Sequence, residues 1–198
     1  MEQKTERNAG IDILRILSMF MVVMIHINGA GGVFKSTKPL TMNWLFSNFI
    51  EQIGIVAVTC FALISGFVNY QKRFKLKNLI ALWVQAFFYS FGITFLFFLF
   101  KEGVSFTVLA KSAIPVMMKE WWYFSSYFLL FFFMPALNIL IEKCSKRTTL
   151  FFIGAFLVCT TLLGYVKDIF NVGSGYSTLW LAGMYAIGAF VKKYDFSL

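Results

Sequence analysis

An apolar stretch at residues 10–28 carries the side chains best suited to chemistry, Arg15 and the single histidine of the chain, His26. A charge at the centre of a bilayer costs about 2.5–3.5 kcal/mol, so ionisable residues in such a helix usually face a protein interior or a water-filled cavity. The two residues are eleven positions apart, which puts them on one helix face, roughly 16 Å apart along the axis. A neutral imidazole accepts a proton from a hydroxyl during group transfer, and a guanidinium binds an anion.

A purely structural interpretation of the same residues stays open. His26 would then bond a neighbouring helix, and Arg15 would extend to the phosphates of the cytoplasmic leaflet beside Asp12, three positions earlier. In that case the protein is a membrane subunit whose arginine and histidine only hold helices together.

The composition indicates an integral membrane protein. Of 198 residues, 59% are hydrophobic and 14% are charged, whereas apolar residues make up about 45–50% of a soluble domain. The net charge of +9 would suit nucleic acid, but the Lys and Arg residues form short clusters between apolar runs, as in the cytoplasmic loops of membrane proteins. We therefore predict no nucleic-acid partner. The three cysteines have no metal-binding spacing, and their odd number predicts neither a zinc site nor a disulfide framework.

The apolar runs predict an all-α fold, a polytopic membrane helix bundle of about six transmembrane helices. The predicted spans are residues 10–28, 44–70, 79–100, 121–141, 150–166 and 179–191. The second is longer than the about 20 residues that a perpendicular helix needs, so it should tilt or extend beyond the hydrocarbon. Residues 101–120 are only moderately apolar and contain Lys111 and Pro115, which favours an interfacial or re-entrant segment.

The positive charges predict that both ends of the chain lie in the cytoplasm. With the N-terminus inside, eleven Lys and Arg residues fall on the cytoplasmic side and six on the outer side, as the positive-inside rule expects. Arg15 then lies near the cytoplasmic face and His26 towards the outside. This order suits a transfer reaction whose donor comes from the cytosol and whose acceptor lies near the outer surface.

Three further features are candidate supporting parts of a site, each with a structural alternative. Glu51 inside the second span needs a partner, and Arg15 and His26 of the first helix are the candidates. Alternatively, Glu51 lies among the outer head groups of the membrane. Ser65 and Gly66 are small residues of the kind that allow close helix approach in membranes. Trp122 and Tyr123 could contact a substrate, but they are also typical anchors at a membrane surface.

Several segments in order along the chain resemble the membrane-bound acyltransferase family 3, bacterial enzymes that acylate cell-surface carbohydrates. The first helix has Gly-Ile-Asp before Arg15 and ten residues between Arg15 and His26. The remaining matching segments are Cys-Phe-Ala-Leu-Ile-Ser-Gly-Phe at 60–67, Trp-Tyr-Phe at 122–124 with Pro135 below it, and the stretch 180–194.

The resemblance implies a multi-pass protein of the bacterial cytoplasmic membrane that moves an acyl group from cytosolic acyl-CoA, usually acetyl-CoA, to a hydroxyl of a cell-surface or lipid-linked carbohydrate. It implies that His26 is the proton acceptor or transient acyl carrier and that Arg15 orients the donor or lines a pore. It also implies that Arg73, Lys75 and Lys77 bind the CoA phosphates, although topology alone would explain this basic loop. Acyl-CoA is then a co-substrate, and no tightly bound cofactor is expected. The expected partners are the carbohydrate acceptor and membrane lipids.

Members of this family have more spans than this chain. We therefore expect residues 1–198 to form a single membrane domain, the N-terminal portion of a longer acyltransferase-type module. A homo-oligomer or a missing C-terminal half is a further expected partner. Two alternatives stay open: a non-catalytic transport or sensing module, as in membrane-bound serine racemases, and an inactive truncated fragment.

Overall fold

The computed structural model of the protein describes residues 8–72, 74–100, 103–114, 121–163, 172 and 175–194. All regular secondary structure in these residues is helical, which confirms the all-α fold. The helices are α1 (Ala9–Asn28), α2 (Val33–Ser36), α3 (Met42–Asn69), α4 (Leu76–Leu99), α5 (Phe106–Ser112), α6 (Trp122–Lys143), α7 (Lys146–Leu157) and α8 (Thr178–Lys193). The chain continues from α7 into a π-helical stretch, Val158–Leu163.

Four of these helices, α1, α3, α4 and α6, are long and apolar enough to cross a membrane. Helix α3 has 28 residues and is therefore about 42 Å long, more than the hydrocarbon thickness of about 30 Å. The fifth and sixth predicted spans correspond to α7 with its π-helical extension and to α8. A total of six spans, and the orientation with both ends in the cytoplasm, stay predictions.

Helix α3 lies at the centre of the described helices, with α1 on one side and α8 on the other, and α8 also packs against α6. Two glycines make the contact between α3 and α8 close. A Cβ atom at Gly66 would collide with the backbone oxygen of Tyr185, and one at Gly188 would collide with that of Leu63. Gly66 therefore has the packing role that small residues commonly have between membrane helices.

The contacts define the directions of the helices. The end of α1 bonds the start of α3 through Asn28 and Ser47, so these two helices are antiparallel. Helices α6 and α8 run in the same direction, because Trp122 at the start of α6 packs on Tyr176 just before α8, and Lys193 at the end of α8 reaches the end of α6. One end of the bundle is therefore aromatic and the other basic.

Polar side chains cap helices at the basic end. The Lys193 ammonium donates to the backbone oxygens of Ile141, Glu142 and Cys144 at 2.6–3.0 Å, which satisfies carbonyls that the last turn of α6 leaves unpaired. Asn138 of α6 donates to the backbone oxygen of Asn69, the last residue of α3, at 3.1 Å. The ends of α3, α6 and α8 are thereby joined.

Local details differ from the sequence prediction. The first loop contains the short helix α2, and α7 begins four residues before its predicted start because the Ser145 hydroxyl accepts a hydrogen bond from the Thr148 backbone N–H. Helix α6 continues through Pro135. Of the segment predicted to be interfacial or re-entrant, residues 103–114 are described, and there α5 packs against α4; residues 101–102 and 115–120 lie outside the described part of the chain.

Candidate functional site

His26 lies in the last turn of α1, and its own helix fixes one nitrogen of the ring. The imidazole Nδ1 is 2.7 Å from the backbone oxygen of Val22, one turn earlier. A carbonyl oxygen only accepts hydrogen bonds, so Nδ1 carries the hydrogen. In the neutral ring this leaves the lone pair on Nε2, which is the atom available to take a proton.

The His26 side chain lines a cavity of 480 Å³ between α1, α3, the start of α6 and the turn before α8. We call it the His26 cavity. Its wall also contains Glu51, Trp122 and Tyr123, so the fold brings together four residues that the sequence singled out separately. Trp121 and Tyr176 complete the aromatic part of the wall.

Glu51 is held by a buried polar cluster at the junction of α1 and α3. The Asn28 amide donates to Glu51 Oε2 at 2.8 Å and to the backbone oxygen of Ser47 at 3.1 Å. The Ser47 hydroxyl donates in turn to Asn28 Oδ1. Asn28 and Ser47 are only 4% and 3% exposed, which makes it costly to leave their polar groups unpaired. The partner of Glu51 is therefore Asn28.

Tyr176 contributes a phenol near Glu51. Its ring packs edge-on against Trp122 with 4.4 Å between centroids. Burial, and then the negative charge of Glu51, raise the pKa of the Tyr176 hydroxyl above its ordinary value. This hydroxyl therefore stays protonated at physiological pH and can donate a hydrogen bond.

Arg15 lines a second cavity of 480 Å³ between α1, α3 and α6, which we call the Arg15 cavity. Its guanidinium is 3.2 Å from the Asp12 carboxylate, the pairing that the sequence suggested. The Arg15 side chain is nevertheless 45% exposed, so part of it stays accessible to a ligand. Ser65 also lines this cavity, and its hydroxyl is 3.1 Å from the Tyr127 hydroxyl.

The cavities follow one another along α1 and α3. Met19 and Phe61 belong to the walls of both the His26 cavity and the Arg15 cavity. Arg15 and His26 therefore face the same groove, as their spacing predicted. Asn69 in turn belongs both to the Arg15 cavity and to a third cavity of 360 Å³ at the basic end.

The third cavity contains part of the predicted CoA-binding loop. Lys75 lines it together with Lys72, Asn78 and Asn138, and we call it the Lys75 cavity. Lys77 is exposed and is absent from its wall. Arg73 lies outside the described residues, so its predicted role stays a prediction.

Sequence reasoning missed several residues of this groove. Asn28 follows His26 by two positions and borders a glycine-rich turn, and an amide at the end of an apolar helix is itself a signal of a polar contact. Tyr176 lies in a segment predicted to be only an outer turn. Tyr127 has no local motif, since only the fold brings it to Ser65. Lys72 stands three residues before Lys75 in the same basic stretch, and that charge pattern is the signal that could have added it to the predicted CoA-binding residues.

A comparison of the sequence with known protein families gives the family of this chain. A family model described as an acyltransferase domain matches residues 8–198. Neither the curated proteins nor the solved structures give a match. Because the family match covers nearly the whole chain, this membrane protein belongs to acyltransferase family 3.

Proposed function

We propose that the protein is an O-acyltransferase of the bacterial cytoplasmic membrane that moves an acyl group, acetyl in the simplest case, from cytosolic acyl-CoA to a hydroxyl of a cell-surface or lipid-linked carbohydrate. The observation that carries this proposal is the position of His26, with Nδ1 bonded to Val22 and its ring in the wall of a cavity. Membership of an acyltransferase family supports the reaction class.

The three cavities support a route for the donor from the basic end. Lys72 and Lys75 line the Lys75 cavity at the basic end. Their ammonium groups would attract the phosphates of CoA as point charges. Lys77 lies in the first turn of α4, and Arg73 belongs to the same basic stretch of the sequence; both would add to the positive potential there. The Arg15 cavity follows along the groove. The Arg15 guanidinium would orient the donor there before the thioester reaches His26.

In the proposed reaction, His26 acts as the general base. Nε2 takes the proton of the acceptor hydroxyl while the hydroxyl oxygen attacks the thioester carbonyl carbon. The new C–O ester bond forms, the C–S bond breaks, and the CoA thiolate leaves. The imidazolium then returns its proton to the thiolate, which restores neutral His26 and completes the balance of atoms and charge. The Val22 carbonyl keeps the ring in the tautomer that this transfer requires.

The test is acyl transfer by membranes that contain the full chain. Membranes from a bacterial host with and without the protein are supplied with acetyl-CoA labelled in the acetyl group. After lipid extraction, the label is counted both in the carbohydrate of the extracted residue and in the saccharides released from the lipid extract. The proposal predicts base-labile label, as expected for an ester, only where the protein is present. Equal label in both preparations, with well-folded protein verified by size-exclusion chromatography, would contradict it.

A further inference from the structure

The wall of the His26 cavity is unbalanced in charge. Among the described residues that form it, Glu51 contributes a carboxylate and none is lysine or arginine. The Arg15 guanidinium lies in the neighbouring cavity and is paired with Asp12. A ligand in the His26 cavity is therefore exposed to a local field that repels anions and attracts hydrogen-bond donors or cations.

The Glu51 carboxylate is fixed in place. Asn28 uses both N–H groups as donors, one to Glu51 Oε2 and one to the Ser47 backbone oxygen, and its Oδ1 accepts the Ser47 hydroxyl. The amide therefore cannot flip without losing these bonds in a site that excludes water. A carboxylate oriented in this way keeps its position when a ligand binds.

One oxygen of Glu51 remains for a ligand. Asn28 occupies Oε2, and within the described residues no protein donor bonds Oε1. The aromatic rings of Trp122 and Tyr176 lie in the same wall, and such rings offer flat apolar surfaces. A sugar ring fits both features, since its hydroxyl groups can donate to the free carboxylate oxygen and the C–H groups on its faces can pack on the aromatic rings.

From this arrangement we propose that Glu51 is a specificity-determining residue, which makes the His26 cavity an acceptor subsite for neutral or amino sugars and excludes sugars with a carboxylate. The acceptor's identity as the ligand of this cavity rests on the proposed function. A hydroxyl next to the reacting one donates to Glu51 Oε1, while the reacting hydroxyl faces His26 Nε2. A carboxylate on the sugar would instead place two negative charges in one cavity.

The size of the expected discrimination follows from Coulomb's law. Two unit charges about 6 Å apart at an effective dielectric constant of about 40 repel enough to weaken binding roughly tenfold. The repulsion acts on binding itself and needs no acyl donor. It can therefore be measured separately from the transfer reaction.

The experiment compares two probes that differ only at carbon 6, methyl β-D-glucopyranoside and methyl β-D-glucopyranosiduronate. Saturation-transfer difference NMR measures their binding to the full chain in lipid nanodiscs without acyl-CoA. The wild-type protein is expected to bind the neutral glucoside about tenfold more tightly. The Glu51→Gln variant keeps an acceptor for Asn28 but lacks the charge, so its two affinities should become nearly equal. Glu142→Gln is the matched control, because Glu142 is exposed on α6, and it should keep the wild-type preference.

A second measurement needs no variant. Raising the salt concentration to about 1 M shortens the Debye length to about 3 Å, so the wild-type preference should decrease, but by less than for fully exposed charges because partly buried pairs are screened less. Equal binding of both probes by the wild-type protein, or binding of neither, would overturn the inference, even where membranes transfer acetyl groups to carbohydrate. The reverse pattern, a preference for the neutral probe without any transfer, would support this inference and contradict only the proposed function.

Discussion

The two proton-accepting groups of the groove, His26 and Glu51, are both fixed by the last turns of α1. His26 is held by the carbonyl of Val22 within its own helix, whereas Glu51 of α3 is held by Asn28 across the helix junction. The spacing of Arg15 and His26 was enough to predict a shared face, because that relation is set by helix geometry alone. The pairing of Asn28 with Glu51 joins residues far apart in the chain, and no local pattern specifies such a contact.

Replacement of Arg15 tests whether its guanidinium does more than carry a positive charge. Arg15→Lys keeps the charge beside Asp12 but loses the planar fork that holds an anion through two N–H groups. We expect the KM for acetyl-CoA to rise about tenfold with a smaller effect on kcat. The measurement is the rate of label transfer against acetyl-CoA concentration. Lys38→Arg, an exposed change outside the groove, serves as the control, and an unchanged KM in Arg15→Lys would show that only charge matters.

The pKa of the Tyr176 hydroxyl tests whether the Glu51 carboxylate lies close to it. Burial and the charge of Glu51 both raise this pKa, so Glu51→Gln removes one of the two causes and should move the pKa down towards its ordinary value. The phenolate then forms at lower pH than in the wild-type protein. Ultraviolet difference titration, with Tyr176→Phe subtracted to isolate this residue, measures the change. A pKa that stays the same or rises on removal of the carboxylate would place the charge elsewhere.

At the scale of helices, the contact between α3 and α8 holds the groove residues of α3 in position. The sequence predicted the long apolar helices well, because their length and hydropathy are local properties. It did not predict which helices pack together, and Gly66 could be recognised only as a small residue. The structure gives it a partner, because the backbone of Tyr185 occupies the space where a Cβ atom would lie.

Gly66→Ala is therefore expected to destabilise the protein. The obstacle is a backbone carbonyl, which cannot move aside like a flexible side chain, and overpacking of this kind costs about 1–3 kcal/mol. Thermal unfolding in detergent, followed by size-exclusion chromatography with fluorescence detection, should show a lower midpoint. Gly92→Ala in α4 is the matched control, since its Cβ meets nothing within 4 Å and alanine favours a helix. Equal midpoints for the two variants would argue against tight contact between α3 and α8.

At the scale of the whole molecule, the three cavities run from the basic end of the bundle to its aromatic end. Positive charges and aromatic residues in the sequence already suggested two different surfaces. A groove between them was beyond sequence reasoning, because its walls combine α1, α3 and α6. Trp122 and Tyr123, which are typical anchors at a membrane surface, also line the His26 cavity, so one aromatic cluster can serve both roles.

The orientation of the bundle follows from the proposed function, since the Lys75 cavity must open to the cytosol to receive acyl-CoA. Single cysteines at Lys77 and Lys38, introduced after replacement of the three native cysteines, report the two sides. In intact cells a membrane-impermeant maleimide should label Lys38→Cys and leave Lys77→Cys unlabelled until the membrane is opened. Labelling in the reverse pattern would place the basic end outside and exclude the proposed donor route.

The most direct test of acyl transfer at the His26 cavity is the transfer rate of His26→Gln compared with that of Val23→Ala. Val23 lies on the same helix, is 48% exposed and is absent from the walls of the three cavities. Loss of a general base slows a reaction about 10²–10⁴-fold, so His26→Gln membranes should transfer at least about 100-fold less label while Val23→Ala stays near the wild-type rate. Wild-type transfer by a folded His26→Gln protein would contradict the role proposed for His26.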